Sequence, residues 1–116
     1  MAHLHYLSSF AEIAVADLEA SARWYEDTLG FQPIAPYRFR YGRALHMRRA
    51  EGQELLLVEG PSGRATLNFA VDTGLAPLAL AAPSAQRTRA LGPDEPEVLE
   101  LVDPDGHRLR FFVRGA

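Results

Sequence analysis

Apolar positions along the chain fall into short runs with two different periods. FAEIAV, from Phe10 to Val15, is an apolar run with β-branched residues and one embedded acid, and it predicts a strand. The next stretch, DLEASARWYEDTLG, changes period. Leu18, Ala22, Tyr25 and Leu29 recur at helical spacing, with Asp17 placed as N-cap and Gly30 as the stop. Three strands should follow, over Phe31–Tyr41, Ala44–Arg49 and Glu54–Glu59. The turns between them are Tyr41-Gly42-Arg43 and Glu51-Gly52-Gln53, where glycine supplies positive φ. The first half therefore reads β-α-β-β-β.

Pro61-Ser62-Gly63 breaks the pattern. ATLNFAV, from Ala65 to Val71, reads as another strand. A second helix is expected within Gly74–Leu91, shortened or broken by Pro77 and Pro83. Strands should then cover Glu97–Val102 and Leu109–Val113, joined by the turn Asp103-Pro104-Asp105-Gly106.

The halves lie over one another. Phe10–Val15 matches Thr66–Val71, and Gly52–Val58 matches Gly106–Phe112. Phe10 to Leu56 spans 46 residues and Thr66 to Arg110 spans 44. One domain over 1–116 is expected, with modules at about 8–60 and 64–114.

Strand side chains alternate between faces. By that parity Ala11, Ile13 and Val15 face the first helix, and Leu67, Phe69 and Val71 face the second. Phe10, Glu12, Leu56, Thr66 and Asn68 fall on the opposite, concave side, with Arg108, Arg110 and Phe112. A concave surface of mixed polar and aromatic groups suits a small ligand.

Composition narrows the function. Apolar residues make up 47% of the 116, enough for a true core. The net charge of −3 argues against nucleic acid as a partner. All 12 basic residues are arginine, which suggests a GC-rich bacterial genome and makes every side-chain cation a fixed fork of donors. With no cysteine, disulfides and thiolate chemistry are excluded. No apolar run is long enough for a membrane helix and Met1–Phe10 does not read as a secretory signal, so a cytoplasmic location is expected.

Two motifs carry a family resemblance. AEIAVADLEASARWYEDTLGF resembles the opening strand and helix of the vicinal oxygen chelate (glyoxalase/bleomycin-resistance/dioxygenase) superfamily, and LVDPDGHRLRFF resembles its closing hairpin. The resemblance implies an α+β fold in which two βαβββ modules form an open, eight-stranded, barrel-like cavity. It also implies a homodimer and, in metal-using members, a divalent ion held by the first and last strands of each module. Carried over, those ligand positions fall on Phe10, Leu56, Thr66 and Arg110. Two hydrocarbons, a hydroxyl and a cation make no site for a divalent ion, so neither metal nor other cofactor is expected.

The remaining candidates each have two readings. Glu12 is either a base or ligand contact in the cavity, or the partner of Arg48, Arg108 or Arg110. Arg110 either grips a ligand carboxylate or phosphate, or pairs with Glu12 or solvent. His46 is a pocket base or a half-exposed strand histidine. Tyr37, Phe39 and Tyr41 alternate along one strand and either stack on a planar ligand or pack within the sheet or against a second chain. His107 belongs to the turn, where the family often has Asn. His3 and His5 lie in a tail, and Trp24 sits at an interface or rim. The reading that follows is a metal-independent protein that binds an aromatic or charged small molecule in a dimer cavity, in the manner of drug sequestration. The alternative is a lyase, isomerase or dioxygenase-like enzyme using a metal or Glu12 and His46.

Overall fold

The structure, a computed structural model, describes residues 4–5, 8–40, 42–50, 52–61, 63–71, 86–89 and 97–113. The chain divides into two compact units, Met1–Ser62 and Gly63–Ala116. Each holds one four-stranded sheet, and among the described residues there is one helix.

The first unit runs β1 (Ala11–Val15), α1 (Leu18–Leu29), β2 (Gln32–Phe39), β3 (Gly42–Ala50) and β4 (Gln53–Glu59). Its strand order is β1-β4-β3-β2, with β1 parallel to β4 and the other pairs antiparallel. Asp17 caps α1 by accepting the Ala20 N–H at 3.0 Å. Gly30, with φ of 80°, ends it in the left-handed conformation that glycine adopts without a Cβ penalty. Leu18, Ser21, Tyr25 and Leu29 form the buried stripe of α1, one to each turn. Ile13, Val15, Met47, Leu55 and Leu57 are likewise buried, and their odd numbering puts them on one face of the sheet. Tyr25 is fully buried and meets Phe31 edge-on at 6.0 Å.

An ion network fastens the start of α1 to this sheet. Arg43 forks onto Glu19 (Nη1–Oε1 2.7 Å, Nη2–Oε2 3.1 Å) and onto Glu59 (Nε–Oε1 3.1 Å, Nη2–Oε2 2.9 Å). Glu59 Oε2 also accepts the Leu18 N–H at 3.1 Å. The Arg43 hydrogen bonds hold both carboxyls below their ordinary value of 4.5 and push Arg43 up. A lowered carboxyl contributes stability that is complete above its unfolded value and is lost as pH falls through its folded one. Arg43→Gln is therefore expected to lower the melting temperature at neutral pH, and the gap to the parent should close as pH falls below 4.5. Melting curves across an acid series check this; a gap that stays constant would refute it.

The second unit repeats the plan. It holds β5 (Thr66–Val71), β6 (Gln86–Arg89), β7 (Glu97–Val102) and β8 (Arg108–Val113), in the order β5-β8-β7-β6. The repeat extends to register: Ala11 pairs Leu55 in the first sheet, and Leu67 pairs Leu109 at the equivalent place in the second. Leu99, Leu101, Leu109 and Phe111 are buried on one face, where Phe69 stacks on Phe111 at 5.0 Å. Leu67, Phe69 and Val71 share that parity and are half-buried, while Thr66, Asn68 and Ala70 between them are exposed.

One expectation is corrected here. The helix expected over Gly74–Leu91 does not extend through 86–89, which form β6 and pair antiparallel with β7 from Gln86↔Glu100 to Arg89↔Glu97. Pairing satisfies the backbone groups along the free edge of β7, and that outweighs the weak helical preference of Gln and Arg. The rest of that segment, with Pro77 and Pro83, lies outside the described residues, as do His3, Tyr41 and Arg114. No helix among the described residues is long and apolar enough to cross a membrane.

Candidate functional site

The even-numbered face of the first sheet carries the candidate site. Register places Glu12 and His46 on either side of Leu56, and Arg48 opposite Glu54. Ala44, Leu56 and Val58 form a buried apolar cluster there, with Phe39 packed against it. Beside that cluster opens a hollow of about 420 Å³, within the size range of small-molecule pockets. Ser8 and Phe10 line it ahead of β1, Ile34 and Tyr37 from β2, His46 and Arg48 from β3, and Glu54 from β4.

Ile34 reaches the hollow because the β2–β3 register shifts between Pro33 and Ala35. Such a bulge re-aims a side chain. Phe10, Ile34 and Tyr37 remain 39%, 47% and 46% exposed, so the walls present open apolar surface. Tyr37 and Phe39 stand parallel, ring centroids 6.0 Å apart.

The floor is polar and ordered. His46 Nε2 lies 2.7 Å from Glu54 Oε1, and both residues are buried. Ser8 Oγ donates to the same carboxylate oxygen at 3.2 Å. Phe10 stacks on the His46 imidazole at 4.1 Å with the planes 22° apart. One histidine is thus held on its edge by a carboxylate and on its face by a ring. A neutral His46 in this arrangement donates from Nε2 and leaves Nδ1 as an acceptor; a charged one forms an ion pair.

The sequence candidates therefore divide. Phe10, Tyr37, His46 and Arg48 line one hollow, with Leu56 and Phe39 in the adjoining cluster. Glu12 lies on the same face by register but is exposed, does not line the hollow, and makes no ion pair among the described residues. Thr66, Asn68, Arg108, Arg110 and Phe112 share one face of the second sheet. There Arg108 Nε meets Glu100 Oε1 at 3.3 Å, so Arg108 pairs within its own unit. Trp24 is half-buried on α1, edge-on to Tyr25 at 5.0 Å. His107 is a buried turn residue. Sequence reasoning passed over Glu54 and Ser8. Parity held the signal for Glu54, which sits two residues before Leu56 and so shares its face.

The residues onto which the family resemblance carries the metal ligands do not fit a divalent ion. Phe10 and Leu56 offer no donor in the first unit, and Thr66 and Arg110 offer a hydroxyl and a cation in the second. Among the described residues three acids, Asp17, Glu19 and Glu59, come within 4.8 Å of one another. Arg43 already neutralises two of them and Asp17 caps α1, so the cluster is a structural clasp.

The model of the glyoxalase/bleomycin resistance protein/dioxygenase superfamily matches residues 3–90. The chain belongs to that superfamily. No curated protein matches the sequence. Among solved structures, it is similar to a glyoxylase/bleomycin resistance protein/dioxygenase domain from Frankia sp. EAN1pec, at 23% identity and a TM-score of 0.75, covering 96% of this chain and 93% of that one. An antibiotic-binding protein from Streptomyces sp. CB03234 is 21% identical, with a TM-score of 0.71 and coverage of 97% and 98%. A bleomycin-binding protein solved with bleomycin is 20% identical, with a TM-score of 0.68 and coverage of 91% and 97%. These likenesses establish a shared α+β fold of this superfamily.

Proposed function

We propose that the protein binds a small aromatic or charged molecule without a metal, in a cavity completed by a second copy of the chain. The observation that carries this reading is the hollow itself, with exposed apolar walls around a buried His46–Glu54 floor. The walls suit a flat ring, and Glu54 suits a ligand that donates hydrogen bonds or carries positive charge. The antibiotic-binding and bleomycin-binding relatives in fold favour sequestration as the use of such a cavity.

Trp24 is a poor reporter of this site, because it lies on α1 beside Tyr25 and does not line the hollow. Calorimetric titration against a panel of planar cationic and neutral aromatics is the better test. Glu54→Gln keeps the shape and removes the charge. It is expected to weaken a cationic ligand about tenfold, the worth of one charge-assisted hydrogen bond, and to leave a neutral aromatic little changed. Equal binding of both ligands by parent and variant would remove Glu54 from the site. No saturable heat anywhere in the panel would count against binding itself.

The 2.7 Å His46–Glu54 contact also favours a second reading, in which His46 is a general base oriented by Glu54. In that reading Glu54 takes the part that sequence reasoning gave to Glu12. Turnover lost in His46→Gln and reduced in Glu54→Gln, with Glu12→Gln unaffected, would favour it.

A further inference from the structure

We propose that the second sheet carries an oxyanion subsite centred on Arg110, and that its ligand is a carboxylate borne on a planar ring. The proposal stands on residues of the second unit alone and does not depend on the hollow of the first.

Arg110 lies in β8, where its neighbours are fixed by register. Asn68 on β5 pairs it from one side and Glu100 on β7 from the other. Glu100 is the acid placed to neutralise it. Its carboxylate turns instead to Arg108, one step along the same face. Arg110 Nε is left buried and without a hydrogen-bond partner.

A buried N–H of a permanent cation with nothing to accept it is a costly arrangement, and native proteins rarely leave one unexplained. The guanidinium cannot escape by losing its proton. Arg110 as a whole is half-buried, so an acceptor arriving from outside meets the open amino side of the guanidinium, where the planar fork matches a carboxylate with two parallel bonds, and the enclosed Nε–Hε senses it.

Two neighbours refine the ligand class. The guanidinium carbon stands 6.0 Å from the centroid of the Phe112 ring, two residues along the same face. That ring offers a flat apolar surface beside the charge, suited to a second ring. Thr66 and Asn68 are exposed on the same face and supply uncharged polar groups. A single-charge carboxylate on a ring answers all three features.

The test follows the side-chain Nε–Hε signal of Arg110 by NMR in the full-length, ¹⁵N-labelled protein, assigned by its loss in Arg110→Lys. Benzoate is expected to shift it saturably at millimolar concentration, and neutral benzamide to leave it in place. Arg110→Lys keeps the charge but not the fork. Read on the Phe112 backbone amide, it should bind benzoate about tenfold more weakly. Arg108→Gln releases Glu100 to its cross-strand neighbour Arg110 and should weaken benzoate as well. A signal that does not move with benzoate, or that moves equally with benzamide or with chloride at the same ionic strength, would overturn the proposal. The backbone spectrum of Arg110→Lys shows whether that variant is folded. Phe10→Ala, which alters the first unit, should leave the benzoate shift intact, so failure of the hollow and failure of this subsite are told apart.

Discussion

Replacing Gly42 by alanine is expected to destabilise the protein by about 3 kcal/mol, while the same change at Gly52 costs about 1 kcal/mol. Both glycines have positive φ, 155° at Gly42 and 81° at Gly52, so both substitutions are strained. The difference is space. A Cβ at Gly42 would stand 2.5 Å from the carbonyl oxygen of Glu59, whereas a Cβ at Gly52 meets nothing within 4 Å. The obstructing atom is backbone and cannot rotate aside. It belongs to the last residue of β4, whose side chain Arg43 grips from the position next to Gly42. Any shift that relieves the clash therefore also loosens the clasp between β3, β4 and the start of α1. Denaturant titration checks the pair: the midpoint should fall for both variants at unchanged slope, and much further for Gly42→Ala. Equal midpoints would show that the chain accommodates the Cβ without cost.

How far this architecture can be read from the residues depends on the range of the forces involved. The first unit is locally written. Asp17 and Gly30 bracket α1, Leu18, Tyr25 and Leu29 repeat along it, and glycines mark both hairpins. Parity then sorted side chains correctly over long stretches. It put Ile13 and Val15 on the buried face of β1, and Leu109 and Phe111 on that of β8. β6 was not legible in this way. Gln-Arg-Thr-Arg carries neither strand period nor strand composition, and it is extended because β7 offers it an edge.

The site was legible in part for a related reason. Counting along strands puts Phe10, Glu12 and Leu56 on one face, whereas Tyr37, His46 and Arg48 join it through register. What makes them a site is a cross-strand contact on the diagonal, His46 to Glu54, which depends on the register between β3 and β4. The bulge at Pro33–Ala35, which brings Ile34 to the wall, is likewise a property of pairing. Glu12 and Glu54 differ in the same way: an acid within an apolar run draws attention, yet the strand leaves Glu12 exposed, while Glu54, near the start of β4, is buried beside His46.

His107 shows how a residue read as turn chemistry can fasten a sheet, and His107→Ala is expected to cost about 3 kcal/mol. The imidazole is 1% exposed. Its Nδ1 accepts the Ala65 N–H at 2.9 Å, just ahead of β5, and its own N–H donates to Asp103 Oδ1 at 2.8 Å. Asp103 also accepts the Asp105 N–H at 2.9 Å, so one carboxylate shapes the whole turn. Truncation to alanine leaves that carboxylate network in place, because its donors are backbone. It removes the acceptor for Ala65 and opens a void where the ring was, and the two losses add. The parallel β5–β8 pairing begins at that point, with Arg108 N–H donating to Ala65 O at 2.9 Å, so the damage should concentrate there. Hydrogen exchange is the discriminating measurement. Amides of β5 and β8 should lose protection in His107→Ala, while those of β1 and β4 in the first unit keep theirs. His107→Asn, which keeps a side-chain carbonyl acceptor, should recover part of the loss. A uniform loss of protection across both sheets would mean that His107 acts through global stability and not as the local fastening of β5.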